Sequence, residues 1–352
     1  MTSSTLLPWV IGSAAVAVLL TAVLFVVKVA HHDLTRRAGD RRAHYIGAVG
    51  EILARRTIPE GLPVGWSDDP IFHDTLSEFL SIVAGEERRI LTELSSRLGL
   101  SDRLASRARH LHRSAARAEA VHHLAELASP AHGPLFHQLF GDRSPHVRLG
   151  AARGLARLGD LSAVPRLIQA LAAERPWIAL RMADMLLAFG PSAVPNLTKW
   201  LREIALVSLQ GNRQTTQVIR VVGLLSDPAA EPVLQELLDS PDPLVRMRAA
   251  EALGRCGTPG GVARLAAAMT DADWRVRAQV ASSLGMIRDP SALDVLVTGL
   301  HDESWWVRQN SAQAMAELPA GRERLREMAD EGTDEIVQIA HYQLALAGRG
   351  GS

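Results

Sequence analysis

Three stretches of this chain, DSPDPLVRMRAAEALG, TDADWRVRAQVASSLG and HDESWWVRQNSAQAMA, follow one pattern. Their Val-Arg pairs recur at even steps, at Val245-Arg246, Val276-Arg277 and Val307-Arg308, a period of 31 (277 − 246 and 308 − 277). A fixed period of this size marks a repeat array in which each unit is one supersecondary element. A step of 31 back from Arg246 reaches Thr215, ahead of VIRVVGLLSDPAAEPVLQELL; a step of 36 then reaches Ala179, so a short insertion falls near VSLQGNR. Further steps of 31 reach Arg148 in HVRLGAARGLARLG and Arg117 in RAEAVHHLAELA. Pro134 and Pro165 stand equally far past their reference positions Arg117 and Arg148, and Gln338 lies 30 past Arg308, in the last helix, IVQIAHYQLALAG.

Each unit reads as two helices. The first is apolar at helical spacing, as in SALDVLVTGL; a short turn containing Asp, Ser or Pro follows, and a second helix starts at Val-Arg. Neither helix can bury its apolar stripe alone, whereas stacked hairpins bury one another in a continuous core. Small residues such as Ala249, Ala250 and Ala281 let the helices approach closely. The composition agrees with an all-α fold: Ala, Leu and Arg dominate, and only two Tyr and six Phe occur in 352 residues.

The N-terminus is of a different kind. Leu6 to Val27, LLPWVIGSAAVAVLLTAVLFVV, carries no formal charge and has Trp9 near one end. At about 1.5 Å per residue, such a helix matches a hydrocarbon core of roughly 30 Å. The absence of a preceding Lys or Arg and the length of the run argue against a cleaved signal peptide. Basic residues flank only the far side, at Lys28, Arg36, Arg37, Arg41 and Arg42, which places the short N-terminus outside and the rest in the cytoplasm.

The expected organisation is therefore a transmembrane anchor over residues 1–30, and a juxtamembrane helix with a Pro/Gly linker, PEGLPVGWSDDP, over 31–70. Divergent helices follow over 71–112, then a repeat solenoid over 113–352. The juxtamembrane arginines are expected near anionic headgroups. The single cysteine, Cys256, allows no intrachain disulfide and fits a reducing compartment.

The pattern D-x-D-W-x-V-R-x-x-x-A-x-x-L-G, best seen at Asp271–Gly285, resembles the short HEAT repeats also called PBS-lyase HEAT-like. The chain resembles bacterial membrane-anchored proteins of that type. The resemblance implies an α-solenoid whose second helices line the concave face. It also implies that the recurring arginines Arg148, Arg246, Arg277 and Arg308 form a structural ladder. They would pair with acidic turn residues such as Asp242 and Asp273, in their own or a neighbouring unit. Arginine suits such partly buried pairing better than lysine.

Candidate partner-binding residues sit beside that ladder. Trp274 and Trp305 occupy equivalent places, Trp306 adjoins, and Trp177 lies close to the equivalent place. Tryptophan is enriched at interface hot spots, though packing between repeats would use the same rings. Two positions past the reference arginine, Arg248, Gln279 and Asn310 form a polar row expected to face outward, and five positions past it come Glu251, Ser282 and Gln313. Trp306 is expected to be the exposed ring, because its neighbour Trp305 holds the place that Trp274 also fills.

Catalytic signals are missing. There is no HExxH, no His-Glu pair of the di-iron hydroxylase kind, no Walker A loop, no GxGxxG after a strand and no GxSxG elbow. The 13 histidines show no metal-ligand spacing, and no cofactor is implied. Thirty-eight basic residues against 38 acidic ones argue against a nucleic-acid binder. The expected function is a non-enzymatic, membrane-tethered adaptor for a protein partner at the cytoplasmic membrane surface. That partner would be a subunit of a membrane-bound enzyme complex, for example a glycosyltransferase making a surface polysaccharide. The alternative that the resemblance implies is a lyase role in chromophore attachment.

Overall fold

The computed structural model describes residues 35–205, 213–331 and 334–349. Every regular element among them is helical. The expected anchor, with its apolar run Leu6–Val27, lies outside the described residues. Among the described residues no single helix is long and apolar enough to cross a membrane. The chain divides into two compact units, Met1–Ala128 and Ser129–Ser352.

The first unit holds helix α1 (residues 35–55), a 3-10 turn Val64–Asp68, and helices α2 (Pro70–Ile82), α3 (Gly85–Arg97), α4 (Leu100–His110) and α5 (Ser114–Leu127). This unit runs across the positions 70 and 112 at which the sequence changes character. Tyr45, Val49 and Ile52, spaced along one face of α1, are buried. The Tyr45 ring meets Phe72 at 5.3 Å and Trp66 at 5.7 Å, and its hydroxyl donates to Asp69 Oδ2 at 2.8 Å. The proline-rich segment is therefore packed on α1: its Trp66 ring meets Tyr45 there, and its Asp69 caps α2 by accepting from Ile71 N at 2.9 Å. Arg41 and Arg42 pair with Asp69 at 2.9 Å and Glu78 at 2.7 Å, so these two engage protein carboxylates where lipid headgroups were expected.

The second unit stacks first helices and second helices alternately. The first helices are α6 (Gly133–Leu139), α8 (Val164–Ala173), α10 (Val194–Trp200), α12 (Glu231–Leu237), α14 (Gly260–Ala268), α16 (Leu293–Gly299) and α18 (Pro319–Glu331). The second helices are α7 (Pro145–Leu158), α9 (Pro176–Ala188), α11 (Arg213–Leu225), α13 (Pro243–Cys256), α15 (Trp274–Ile287), α17 (Trp305–Glu317) and α19 (Asp334–Arg349). Pro134, Pro165, Pro195 and Pro232 stand second in α6, α8, α10 and α12, where a missing N–H breaks no helical bond. Each second helix starts slightly earlier than Val-Arg suggests. Pro145, Pro176 and Pro243 hold its first position, and Trp274 and Trp305 take that place in α15 and α17.

Second helices lie on one another more closely than alanine would allow. Gly223, Gly254 and Gly285 recur with the period of the repeat, and a Cβ on each would fall 2.8–2.9 Å from Cα of Ala252, Ser283 and Ala314 on the following second helix. Ala249, Ala250 and Ala281 are fully buried, as expected, but the glycines set the spacing. The insertion falls after a π-helical turn at Leu201–Ala205, and 206–212 lie outside the described residues.

Candidate functional site

At Arg148, Arg246 and Arg277 the arginine of the repeat turn binds two units. Arg277 donates from Nη1 to the carbonyls of Asp271 (2.8 Å) and Ala272 (3.4 Å), closing the turn of its own unit. Its other face forks onto the next unit, from Nε to Asp302 Oδ2 at 2.7 Å and from Nη2 to Asp302 Oδ1 at 2.9 Å. Arg246 repeats this with the Ser240 carbonyl at 2.9 Å and Asp271 at 2.6 and 2.8 Å. Arg148 does so with the Asp142 carbonyl at 2.8 Å and Glu174 Oε1 at 2.6 Å. Arg308 and Arg117 hold their own turns in the same way, through the carbonyls of Asp302 and Leu111 at 2.8 and 3.1 Å.

The acidic partners are Glu174, Asp271 and Asp302, not Asp242 and Asp273. Those two aspartates instead cap the second helices, accepting from Leu244 N at 2.8 Å and Arg275 N at 2.9 Å. The reason is steric: the guanidinium reaches forward to the turn of the next unit, while an aspartate just before the helix points at its first amides. The hydrogen bond from Arg277 to Asp302 raises the arginine's already high pKa. Burial works against the Asp302 carboxylate, yet the bonds from Arg277 and the Ser304 amide outweigh it and hold its pKa below the usual carboxylate range. In the unit where Thr215 stands at the reference place, Arg213 donates instead to the carbonyls of Ala172 and Glu174, at 3.3 and 3.0 Å.

The exposed face of the second helices is one stripe with the spacing i, i+4, i+7, i+11. In α17 it runs Trp306, Asn310, Gln313, Glu317; in α13, Leu244, Arg248, Glu251, Arg255; at the start of α9 it opens on Trp177 and Arg181. Trp177 thus lies in the row of Trp306 and Leu244, and Trp274 and Trp305 form a row one position earlier, on the flank. All four tryptophans are 43–55% exposed. Trp306 is exposed as expected, and Trp274 and Trp305 are exposed beside it. They stand at helix starts, and Trp305 rests edge-on against Trp306 with centroids 4.8 Å apart.

The polar row is half-buried rather than facing freely outward. The glycine contacts draw the helices together, so that Asn310 donates to the Ala278 carbonyl of the preceding second helix at 2.8 Å and Arg248 pairs with Glu251 at 2.7 Å. A groove of about 340 Å³ opens between α15 and α17, lined by Ser282, Met286, Asn310, Gln313 and Glu317. A smaller one of about 90 Å³ lies between α11 and α13, lined by Arg220, Leu224, Arg248, Glu251 and Arg255. Sequence reasoning did not single out this second groove or the glycine row, although glycine eight positions past the reference was visible in three consecutive units.

Two histidine clusters lack catalytic form. Ser77 Oγ lies 2.8 Å from His123 Nδ1, and Asp74 Oδ1 lies 3.4 Å from Nε2. Burial, with neighbouring His122, His73 and Arg107, pushes the His123 pKa down to about 3, which makes it a poor general base. At His137, Asp160 and Ser162 both approach the same ring nitrogen, so no relay can form. Among the described residues no three His, Cys, Asp or Glu side chains are grouped to hold a metal ion.

Helical hairpins stacked in register, with an arginine recurring at their turns, define an α-solenoid. The chain belongs to the HEAT-repeat family, whose model matches residues 101–188, 215–281 and 262–345, more than half of its length. The solved structure of importin beta in an ammonium sulfate condition is similar at 13% identity and TM-score 0.52, covering 86% of this chain and 48% of that one. Kap121p bound to Ste12p is similar at 12% identity and TM-score 0.51, covering 79% and 36%, and Kap121p bound to Nup53p at 13% and 0.50, covering 74% and 33%. The chain thus spans a third to a half of these solenoids, and at such identity the likeness is one of fold. No curated protein sequence matches it.

Proposed function

We propose that this chain is a non-enzymatic scaffold that presents the exposed stripe of its second helices to a protein partner, held at the inner membrane surface by the apolar run Leu6–Val27. The observation that carries the reading is the stripe itself: large half-exposed side chains at Trp177, Leu244 and Trp306 head columns of adaptable polar groups. Exposed rings beside amides and arginines are the composition of a protein-binding patch. Kap121p, of the same fold, is bound to Nup53p in one solved structure and to Ste12p in another, a precedent for the fold holding protein partners. The anchor favours a partner in the same membrane, because tethering raises its effective concentration; a subunit of a membrane-bound enzyme complex fits that condition.

A photo-crosslinking residue placed at position 306 in the full-length chain tests the reading. It should capture one discrete protein from membranes, and the same residue at Ile82, 82% exposed on α2, should not. Trp306→Ala should leave the melting temperature within a few degrees of wild type while abolishing capture from a neighbouring site such as Gln313. Capture that persists undiminished in Trp306→Ala would refute the stripe as the docking face.

A further inference from the structure

The chain's balanced charge conceals a local excess. On the second-helix stripe from α7 to α13, two, five and nine positions past each reference, stand Arg153, Arg157, Arg181, Arg220, Arg248 and Arg255 against only Asp184 and Glu251. In α15 and α17 the same places hold Gln279, Ser282, Met286, Asn310, Gln313 and Glu317, none of them basic. The excess ends in the groove between α11 and α13, where three arginines face one carboxylate.

That carboxylate does not satisfy all three. Glu251 accepts from Arg248 Nη1 at 2.7 Å and from Arg255 Nη2 at 3.2 Å. Among the described residues Arg220 donates only from Nε, to Gln217 Oε1 at 3.1 Å, and its Nη2 is buried with no acceptor. A buried guanidinium N–H without an acceptor is costly, and a turn of the Arg220 guanidinium into the groove would bring it to a second carboxylate there. Leu224, 40% exposed, lines the same groove and offers apolar contact beside the charge.

We propose that the α11–α13 groove is a carboxylate-binding site for an acidic segment of the protein partner, a glutamate or aspartate flanked by an apolar residue. The assignment rests on the second-helix stripe being the docking face. A nucleic acid fits less well. Glu251 stands inside the groove against a phosphate row, and no aromatic ring lines it for base stacking. At about 90 Å³ it holds one side-chain head, roughly three waters' worth of space.

The test uses the full-length chain in detergent and a short fluorescein-labelled peptide of alternating Glu and Leu, read by anisotropy. The peptide should bind, lose affinity as salt rises, and bind on the order of tenfold more weakly when its Glu residues are replaced by Gln. Arg220→Gln should weaken binding by about tenfold, the worth of one charge-assisted hydrogen bond, at an unchanged melting temperature. Glu251→Gln should tighten binding, because it removes the competitor for Arg248 and Arg255; that gain keeps the test decisive should Arg220→Gln fail to fold. Binding that ignores both substitutions, or an oligonucleotide of equal charge that displaces the peptide at lower concentration, overturns the assignment. If crosslinking at position 306 still captures its partner in that event, the docking face stands and only the carboxylate site is refuted. If no crosslink forms at all, the docking face fails and the site falls with it.

Discussion

Arg288 ends helix α15 with φ 59°, in the left-handed region, and the equivalent places eleven past the reference include Gly159 at φ 66° and Gly257 at φ 69°. A residue with a Cβ is strained there, and its ion pair with Glu317 is too exposed to offset much. Arg288→Gly should therefore raise stability by about 1 kcal/mol in urea unfolding; a loss would show that the surface pair outweighs backbone strain. Arg277 lies at the opposite extreme. Its side chain is 9% exposed and that of Asp302 12%, and the guanidinium also closes its own turn. Arg277→Ala should lower stability by about 3 kcal/mol, and Arg277→Lys should recover only part of that, since an ammonium cannot fork. An unchanged melting temperature in Arg277→Ala would remove the structural role. The arginine ladder was legible from the even spacing of the Val-Arg pairs. Its acidic partners were not, because the sequence offers acidic residues in a unit's own turn and in the next one, and only the direction of the guanidinium chooses between them.

Among the helices, close approach reverses an ordinary expectation. Gly→Ala within a helix normally gains up to about 1 kcal/mol from helix propensity. At Gly285 the new Cβ would press on Ala314 Cα at 2.8 Å, a backbone atom that cannot rotate aside, so Gly285→Ala should destabilise by about 1–3 kcal/mol. Unfolding midpoints of the two chains decide it, and a stabilised variant would mean that α15 and α17 can slide apart at no cost. In the first unit the packing of α2 on α5 buries His123, whose pKa falls from its ordinary 6.5 to about 3. Between those values the unfolded chain binds a proton that the folded chain refuses, so stability present above about pH 6.5 is lost as the pH falls toward 3. Urea midpoints measured from pH 7 to pH 4.5 should drop in the wild type and drop less in His123→Gln, which keeps a partner for Ser77. Parallel curves would place the acid sensitivity elsewhere.

At the scale of the whole molecule, the proposed anchor and its orientation are tested by labelling. Ser3→Cys should react with an impermeant thiol reagent in intact cells, and Tyr342→Cys, at a 58% exposed position, should react only after the membrane is opened. The native Cys256 gives little background, since it is buried and burial pushes its thiol up to about 11. The reverse labelling pattern would invert the orientation drawn from Lys28 and the arginines after it.

Sequence alone determined the period, the two-helix unit, the all-α class and the HEAT-type solenoid, because a recurring apolar stripe can be buried only by its own neighbours. It also placed the reference arginines and the exposure of Trp306. Tertiary structure decided the rest. Which carboxylate of the next unit each turn arginine pairs with, how α1 and the proline-rich segment join the first unit, and how Arg220 of α11 comes to share a groove with Arg248, Glu251 and Arg255 of α13 all depend on contacts between residues far apart in the chain. A one-dimensional pattern carries the face on which a residue lies. The distance at which two faces meet is decided by packing, and here by one glycine in each of three successive second helices, Gly223, Gly254 and Gly285.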